Sequence, residues 1–222
     1  MTDSIDVLKD ILSNNKTIKG LSFCEFGTYE LVQNRIKLIA PLDQVFSKAM
    51  EMRNRYKLPF WDSFNVNLFE QDISDFDFLK EINFQNEPIN IIKYSREDFI
   101  KNNIDFQTYT GLSSSVISEK SNLHIPLLDF HIPPSNANQQ LCSEILVHLN
   151  LKGYLLNSGK SYHFIGSDII DFKSLQNLLF NALLFSPIVD KSWIAHQLIQ
   201  KYCCLRVSKK YERLPYLVEE IK

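Results

Sequence analysis

Four polar side chains interrupt apolar runs in the second half of this 222-residue chain. In "HIPLLDFHIPPS", residues 124–135, Asp129 and His131 stand two apart among Leu128, Phe130 and Ile132. In "SGKSYHFIG", residues 158–166, Ser161 and His163 stand two apart, with Tyr162 and Phe164 at the alternate positions. Residues two apart on a strand share a face. Asp129 and His131 therefore project together, as do Ser161, His163 and Ile165, while the aromatic residues turn toward packing. Burying such groups without partners costs several kcal/mol. They either hydrogen-bond to one another or line a cleft and bind a ligand. The turn "SGKS" resembles the tail of a phosphate-binding loop, but that loop requires a glycine five positions before Gly159, where Tyr154 stands.

The elements that must position these residues follow from spacing. Ile125–Ile132 reads as a strand stopped by Pro133 and Pro134. Asn136–Leu151 reads as a helix with Leu141, Ile145 and Leu149 on one side and Gly153 as its C-cap. Tyr154–Asn157 and Ser161–Ile165 read as a hairpin closed by Ser158, Gly159 and Lys160. Asp168–Leu184 and Asp190–Lys201 read as helices, and Tyr202–Ser208 as a strand. Upstream, Asp3–Leu12 and Leu42–Tyr56 have helical spacing. Leu31–Ala40, Val66–Phe69 and Ile89–Tyr94 read as strands, and Ser95 caps a short helix through Ile100. Residues 102–122, with "GLSSS", read as loop. The class is α+β: a central, mostly antiparallel sheet with flanking helices. Residues 1–120 form the N-terminal α/β part of one domain, without a motif, and residues 121–222 the motif-bearing half.

Composition bounds the function. Hydrophobic residues make up 45% and charged residues 23%, with 16 Phe and 9 Tyr to fill a core. A net charge of −2 advertises no overall basic field for coating nucleic acid, which leaves a local basic groove open. The polar, acidic start "MTDSIDVLKD" does not read as a signal peptide. No apolar run approaches the ~20 residues of a membrane span. The four cysteines have no CxxC spacing, and adjacent Cys203 and Cys204 point to opposite faces of a strand, a poor metal clip. Reduced thiols in a cytoplasmic protein are expected.

Taken in order, the motifs resemble the archaeo-eukaryotic primase superfamily, nearest its primase 1D-like subgroup. That family carries an apolar strand with two acidic residues one apart, a hairpin strand with small-x-His after a Ser-Gly turn, and an apolar residue followed by Asp with a downstream Arg-bearing strand. Here these look like "LLDFHI" with Asp129, "SGKSYHF" with Ser161 and His163, and "IVD" ending in Asp190, followed by "LRVSKKYERLP" with Arg206. The resemblance covers Leu127 to Pro215. It implies a primase-like (RRM-like) catalytic core and a metal-dependent primase-polymerase nucleotidyltransferase of DNA replication. Asp129, His131 and Asp190 would be the catalytic metal ligands. Ser158, Lys160, Ser161, His163, Arg206 and Lys209, with Lys210, would serve the triphosphate or template. His131 replaces the family's second carboxylate. Mg²⁺ prefers hard oxygens while imidazole suits Mn²⁺ or Zn²⁺, so the resemblance implies Mn²⁺ or Mg²⁺ at a weakened or defunct site. Implied partners are a nucleotide triphosphate, nucleic acid, and a helicase or mobile-element protein.

Simpler readings stand beside these. Asp190 is also an N-cap for "DKSWIAHQLIQK". His131 is also an edge-strand histidine bonded to a carbonyl, His196 beside Trp193 reads as structural, and "SKKYERLP" reads equally as a solvated turn. The alternative to the enzyme is a primase-fold module that has lost polymerisation and binds nucleic acid or a protein. A third reading is a metal-dependent nuclease or phosphodiesterase with water as nucleophile.

Overall fold

The computed structural model describes residues 2–27, 42–57, 63, 88, 90–210 and 213–222. Two compact units emerge, one made of Met1–Glu25 and Ile89–Lys222, the other of Phe26–Pro88. The second unit carries a helix over Leu42–Tyr56, as its spacing predicts. The strands expected at Leu31–Ala40 and Val66–Phe69 lie outside the described residues.

The first unit is α+β, with two antiparallel sheets and flanking helices. It opens with α1 (Ser4–Asn14) and β1 (Gly20–Glu25), and after the Leu42–Tyr56 helix (α2) resumes with β2 (Asn90–Ser95) and α3 (Arg96–Lys101). Then come β3 (Thr110–Ile117), β4 (Leu123–His124), β5 (Leu127–Asp129), α4 (Asn136–His148), β6 (Gly153–Asn157) and β7 (Tyr162–Gly166). The chain ends with β8 (Ile170–Asp171), α5 (Phe172–Ala182), a 3₁₀ turn at Leu183–Phe185, α6 (Lys191–Gln200), β9 (Cys204–Arg206) and β10 (Tyr216–Ile221). One sheet runs β2-β1-β3-β4-β8, with β9 also on β3; the other runs β10-β6-β7-β5. β1 and β2 pair along their length, from Gly20 opposite Ser95 to Glu25 opposite Asn90. The far edge of β3 is shared: Gly111–Ser113 pair with β9, and Ser115 pairs with His124 of β4.

Asp3 caps α1 in a capping box with Asp6, and the helix buries Val7, Leu8, Ile11 and Leu12. Beneath β1 and α3, Phe23 stacks on Phe99 at 5.4 Å between ring centroids and tilts against Phe106 at 4.9 Å. Leu127, Leu128, Leu155, Leu156, Phe164 and Ile165 fill the interior of the second sheet.

Three expectations are corrected. Residues 102–122 are not all loop, because β3 runs through their polar centre. Its serines tolerate burial because their hydroxyls are engaged: Ser114 Oγ accepts from the Cys203 amide at 2.8 Å and meets His124 Nδ1 at 3.0 Å. Gly153 is not the C-cap of α4. The helix stops at His148, capped at Leu149, and Asn150 takes the left-handed turn with φ of 55°. Gly153 instead opens β6 with φ of +152°, where a Cβ would meet the Ile165 carbonyl oxygen at 2.3 Å. The helix expected from Asp168 starts four residues later, capped by Asp171.

Candidate functional site

Asp129 ends β5 and His163 lies in β7, and the two are register partners. Directly opposed residues of an antiparallel pair project from the same face, so Asp129 and His163 are neighbours across the two strands. His163 Nε2 lies 3.6 Å from Asp129 Oδ1. On its other side, His163 Nδ1 lies 3.1 Å from the Arg206 carbonyl oxygen. A carbonyl only accepts, so the proton is on Nδ1 and Nε2 presents a lone pair. Asp129 Oδ1 is buried and has no hydrogen-bond partner. The His163 Nε2 lone pair thus faces this oxygen. Burial, followed by the Asp190 charge, pushes the Asp129 carboxyl up to about 8. Burial, followed by repulsion from Arg206, pushes the His163 imidazole down to about 3. At neutral pH Asp129 therefore holds a proton and His163 is uncharged.

The backbone ties Asp190 to this pair. Phe130 bridges to Val189, the Asp190 amide donates to the Asp129 carbonyl at 2.9 Å, and the His131 amide donates to the Ile188 carbonyl at 2.7 Å. Asp190 Oδ1 accepts from the Trp193 amide at 2.9 Å, capping α6. Its Oδ2 lies 3.3 Å from His131 Nδ1. Burial would raise the Asp190 carboxyl, but His131 and the amides of Trp193 and Ser192 hold it below the ordinary range. The cap and the imidazole contact use different oxygens. Asp190→Ala is expected to cost about 1 kcal/mol of stability, and Asp190→Ser, which keeps a capping oxygen, less than about half of that. Thermal melting of the two variants checks the difference.

Arg206, in β9, is buried. Its Nη1 donates to the Ser208 carbonyl and its Nη2 to the Ser158 carbonyl, both at 2.6 Å. It pins the hairpin turn of the four-stranded sheet to a strand of the six-stranded sheet. Within that turn, Ser158 Oγ lies 3.1 Å from Ser161 Oγ. Lys210 stands near this group: burial, then repulsion from Arg206 and Lys160, lowers its pKa. Lys209 instead pairs with Asp105 at 3.2 Å.

Asp129, His131, His163, Asp190 and Arg206 thus form one cluster, with Ser158, Lys160 and Ser161 on the turn that Arg206 holds. Sequence reasoning missed Tyr109, whose hydroxyl bonds to Arg206. Burial raises its pKa, the Arg206 charge opposes this, and the Asp129 carboxylate reinforces it. Its signal was the alternation Tyr109, Gly111, Ser113, hidden by reading the segment as loop. His196 Nδ1 is also buried without a partner.

Two carboxyl groups, one of them with an unpartnered buried oxygen, suit a divalent cation in donor chemistry. Among the described residues, however, no group of three or more His, Cys, Asp and Glu side chains converges as a ready-made metal cage. An ion would need ligands from its substrate. No helix among the described residues is long and apolar enough to cross a membrane.

A comparison with protein families finds a match to the family described as archaeo-eukaryotic primase 1D-like over residues 98–219. No curated protein matches, and no solved structure does.

Proposed function

Because the chain belongs to the archaeo-eukaryotic primase 1D-like family, we propose that the Asp129–His163–Asp190 cluster binds a nucleoside triphosphate and transfers its nucleotidyl group on a nucleic-acid template. Asp129 and Asp190, with His131, would hold Mn²⁺ or Mg²⁺, the substrate phosphates completing the shell. Such an ion supplies neutralisation of phosphate charge and activation of the attacking hydroxyl.

The observation that supports this reading is the buried, unpartnered Asp129 Oδ1 facing the His163 Nε2 lone pair. Asp129 would release its proton to solvent when it holds the cation, because burial and the Arg206 charge make His163 Nε2, 3.6 Å away, too weak a base to keep it. Uncharged His163, fixed through Nδ1 on the Arg206 carbonyl, keeps its Nε2 lone pair turned toward Asp129. Lys160 and Lys210 add positive charge near Arg206, suited to phosphate.

A second reading, a primase-fold module that binds nucleic acid without polymerising, draws support from two features. The donors of Arg206 are engaged by backbone carbonyls, and the cluster lacks a third convergent ligand. Calorimetry separates the two. The enzyme is expected to bind nucleoside triphosphate with saturable heat only when Mn²⁺ is present. It should also extend a primed template with labelled nucleotide, and Asp129→Ala should abolish both. Salt-sensitive nucleic-acid binding that survives Asp129→Ala, with no triphosphate heat and no incorporation, would establish the binding module instead.

A further inference from the structure

The six-stranded sheet carries another cluster on the face that bears Arg206. Cys24 of β1 is the register partner of Gly111 of β3, and Gly111 is in turn the partner of Arg206 in β9. Cys204 lies two residues from Arg206 and so shares its face. Gly111 leaves the middle position without a side chain, and Cys204 leans into the space. A Cβ built on Gly111 would meet Cys204 Sγ at 2.5 Å. Over the glycine, the Cys204 thiol donates to the Cys24 sulfur, and the Tyr202 hydroxyl donates to the same atom. Cys24 is buried, Cys204 is half-buried, and both are free thiols.

This pair cannot close into a disulfide. Two strand spacings separate β1 from β9, about 10 Å between Cα atoms, and a disulfide spans at most ~7 Å. Oxidation to a cystine is thus blocked by the sheet, and two sulfurs remain facing each other. Thiolate pairs select soft cations.

We propose that Cys24 and Cys204 form a two-sulfur site for a soft monovalent cation of the copper(I) class, roofed by the Tyr202 hydroxyl. Binding forms two sulfur–metal bonds and releases two thiol protons to solvent, with no change of oxidation state. Cys204, on the more open side, receives the ion, and Cys24 completes its coordination. The site is independent of the nucleotide reading.

Silver(I), a redox-inert cation of the same class, is the probe. The full chain would be titrated against a competing soluble dithiol and followed by native mass spectrometry. One ion per chain is expected. Cys24→Ser and Cys204→Ser should each weaken retention at least about tenfold. Gly111→Ala, with both thiols intact, should weaken it similarly by driving Cys204 Sγ aside, while Cys142→Ala should retain the ion. A thermal melt confirms that each variant folds. Unchanged retention in folded Cys204→Ser or Gly111→Ala overturns the site even if Cys24→Ser fails to fold.

Discussion

Asp129→Asn is expected to melt at a higher temperature than the parent chain at pH 8 and to bind no nucleotide. The carboxyl titrates near 3.8 when the chain is unfolded and at about 8 when folded. Between those values the folded state holds more protons than the unfolded one. Stability from this group is therefore complete below about pH 4 and is lost progressively as pH rises through about 8. His163 works in the opposite direction. Its imidazole is at 6.5 unfolded and about 3 folded, so the unfolded state holds the extra proton and stability rises from about pH 3 to pH 6.5. The parent should thus pass through a maximum and decline toward pH 8. The asparagine variant keeps the histidine limb and loses the decline. It also places an amide donor opposite the His163 Nε2 lone pair. A gain of about 1–3 kcal/mol at pH 8 is expected, read by thermal melts from pH 5 to pH 9. A lower melting temperature for the variant at pH 8 would show that Asp129 is ionised and well solvated in the folded chain. Nucleotide binding with Mn²⁺ should meanwhile fall by at least about a hundredfold, because the amide carries no charge for the cation. Greater stability with lost binding is the signature of a functional group rather than a structural one.

The second large effect is at Arg206. Removing its guanidinium strands the buried Ser208 carbonyl and the part-buried Ser158 carbonyl, and cuts the tie between the hairpin turn and β9. Arg206→Ala should cost about 3–5 kcal/mol in denaturant unfolding. Arg206→Lys should recover little, since a single ammonium does not reproduce the planar fork that serves both oxygens. In the folded fraction, amide hydrogen exchange at Ser158 and Gly159 should accelerate. Tyr109→Phe, which removes one hydroxyl from the same guanidinium, should cost about 1 kcal/mol. A loss under about 1 kcal/mol for Arg206→Ala would mean that the turn is held by its own serine contacts.

The site was more legible than the scaffold. Two-residue alternation places Asp129 and His131, or Ser161 and His163, on one face without knowledge of the partner strand. Alternation could not reveal that Asp129 and His163 are directly opposed, because register depends on pairing across residues 130–161. Asp190 was readable as a cap, and it caps α6 while its other oxygen faces His131. β3 was hidden because its serines resemble a loop until their buried partners, the Cys203 amide and His124, are known. β1 and β10 were unassigned: "GLSFCE" is too short to display a period, and "YLVEEI" alternates poorly across the register shift between Leu217 and Glu219. Lys209 and Lys210 looked equivalent in a charge run, yet one pairs with Asp105 and the other stands by Arg206.

The pairing of Glu25 with Asn90 means that the polypeptide departs and returns at a single rung of one ladder. Everything between those rungs is a detour whose ends are already joined. Lengthening such a detour is cheap, about 0.6 kcal/mol for each doubling. The register that aligns β1 with β3 is therefore set by the ladder itself, and the chain between Glu25 and Asn90 bears on it only through the entropy of loop closure.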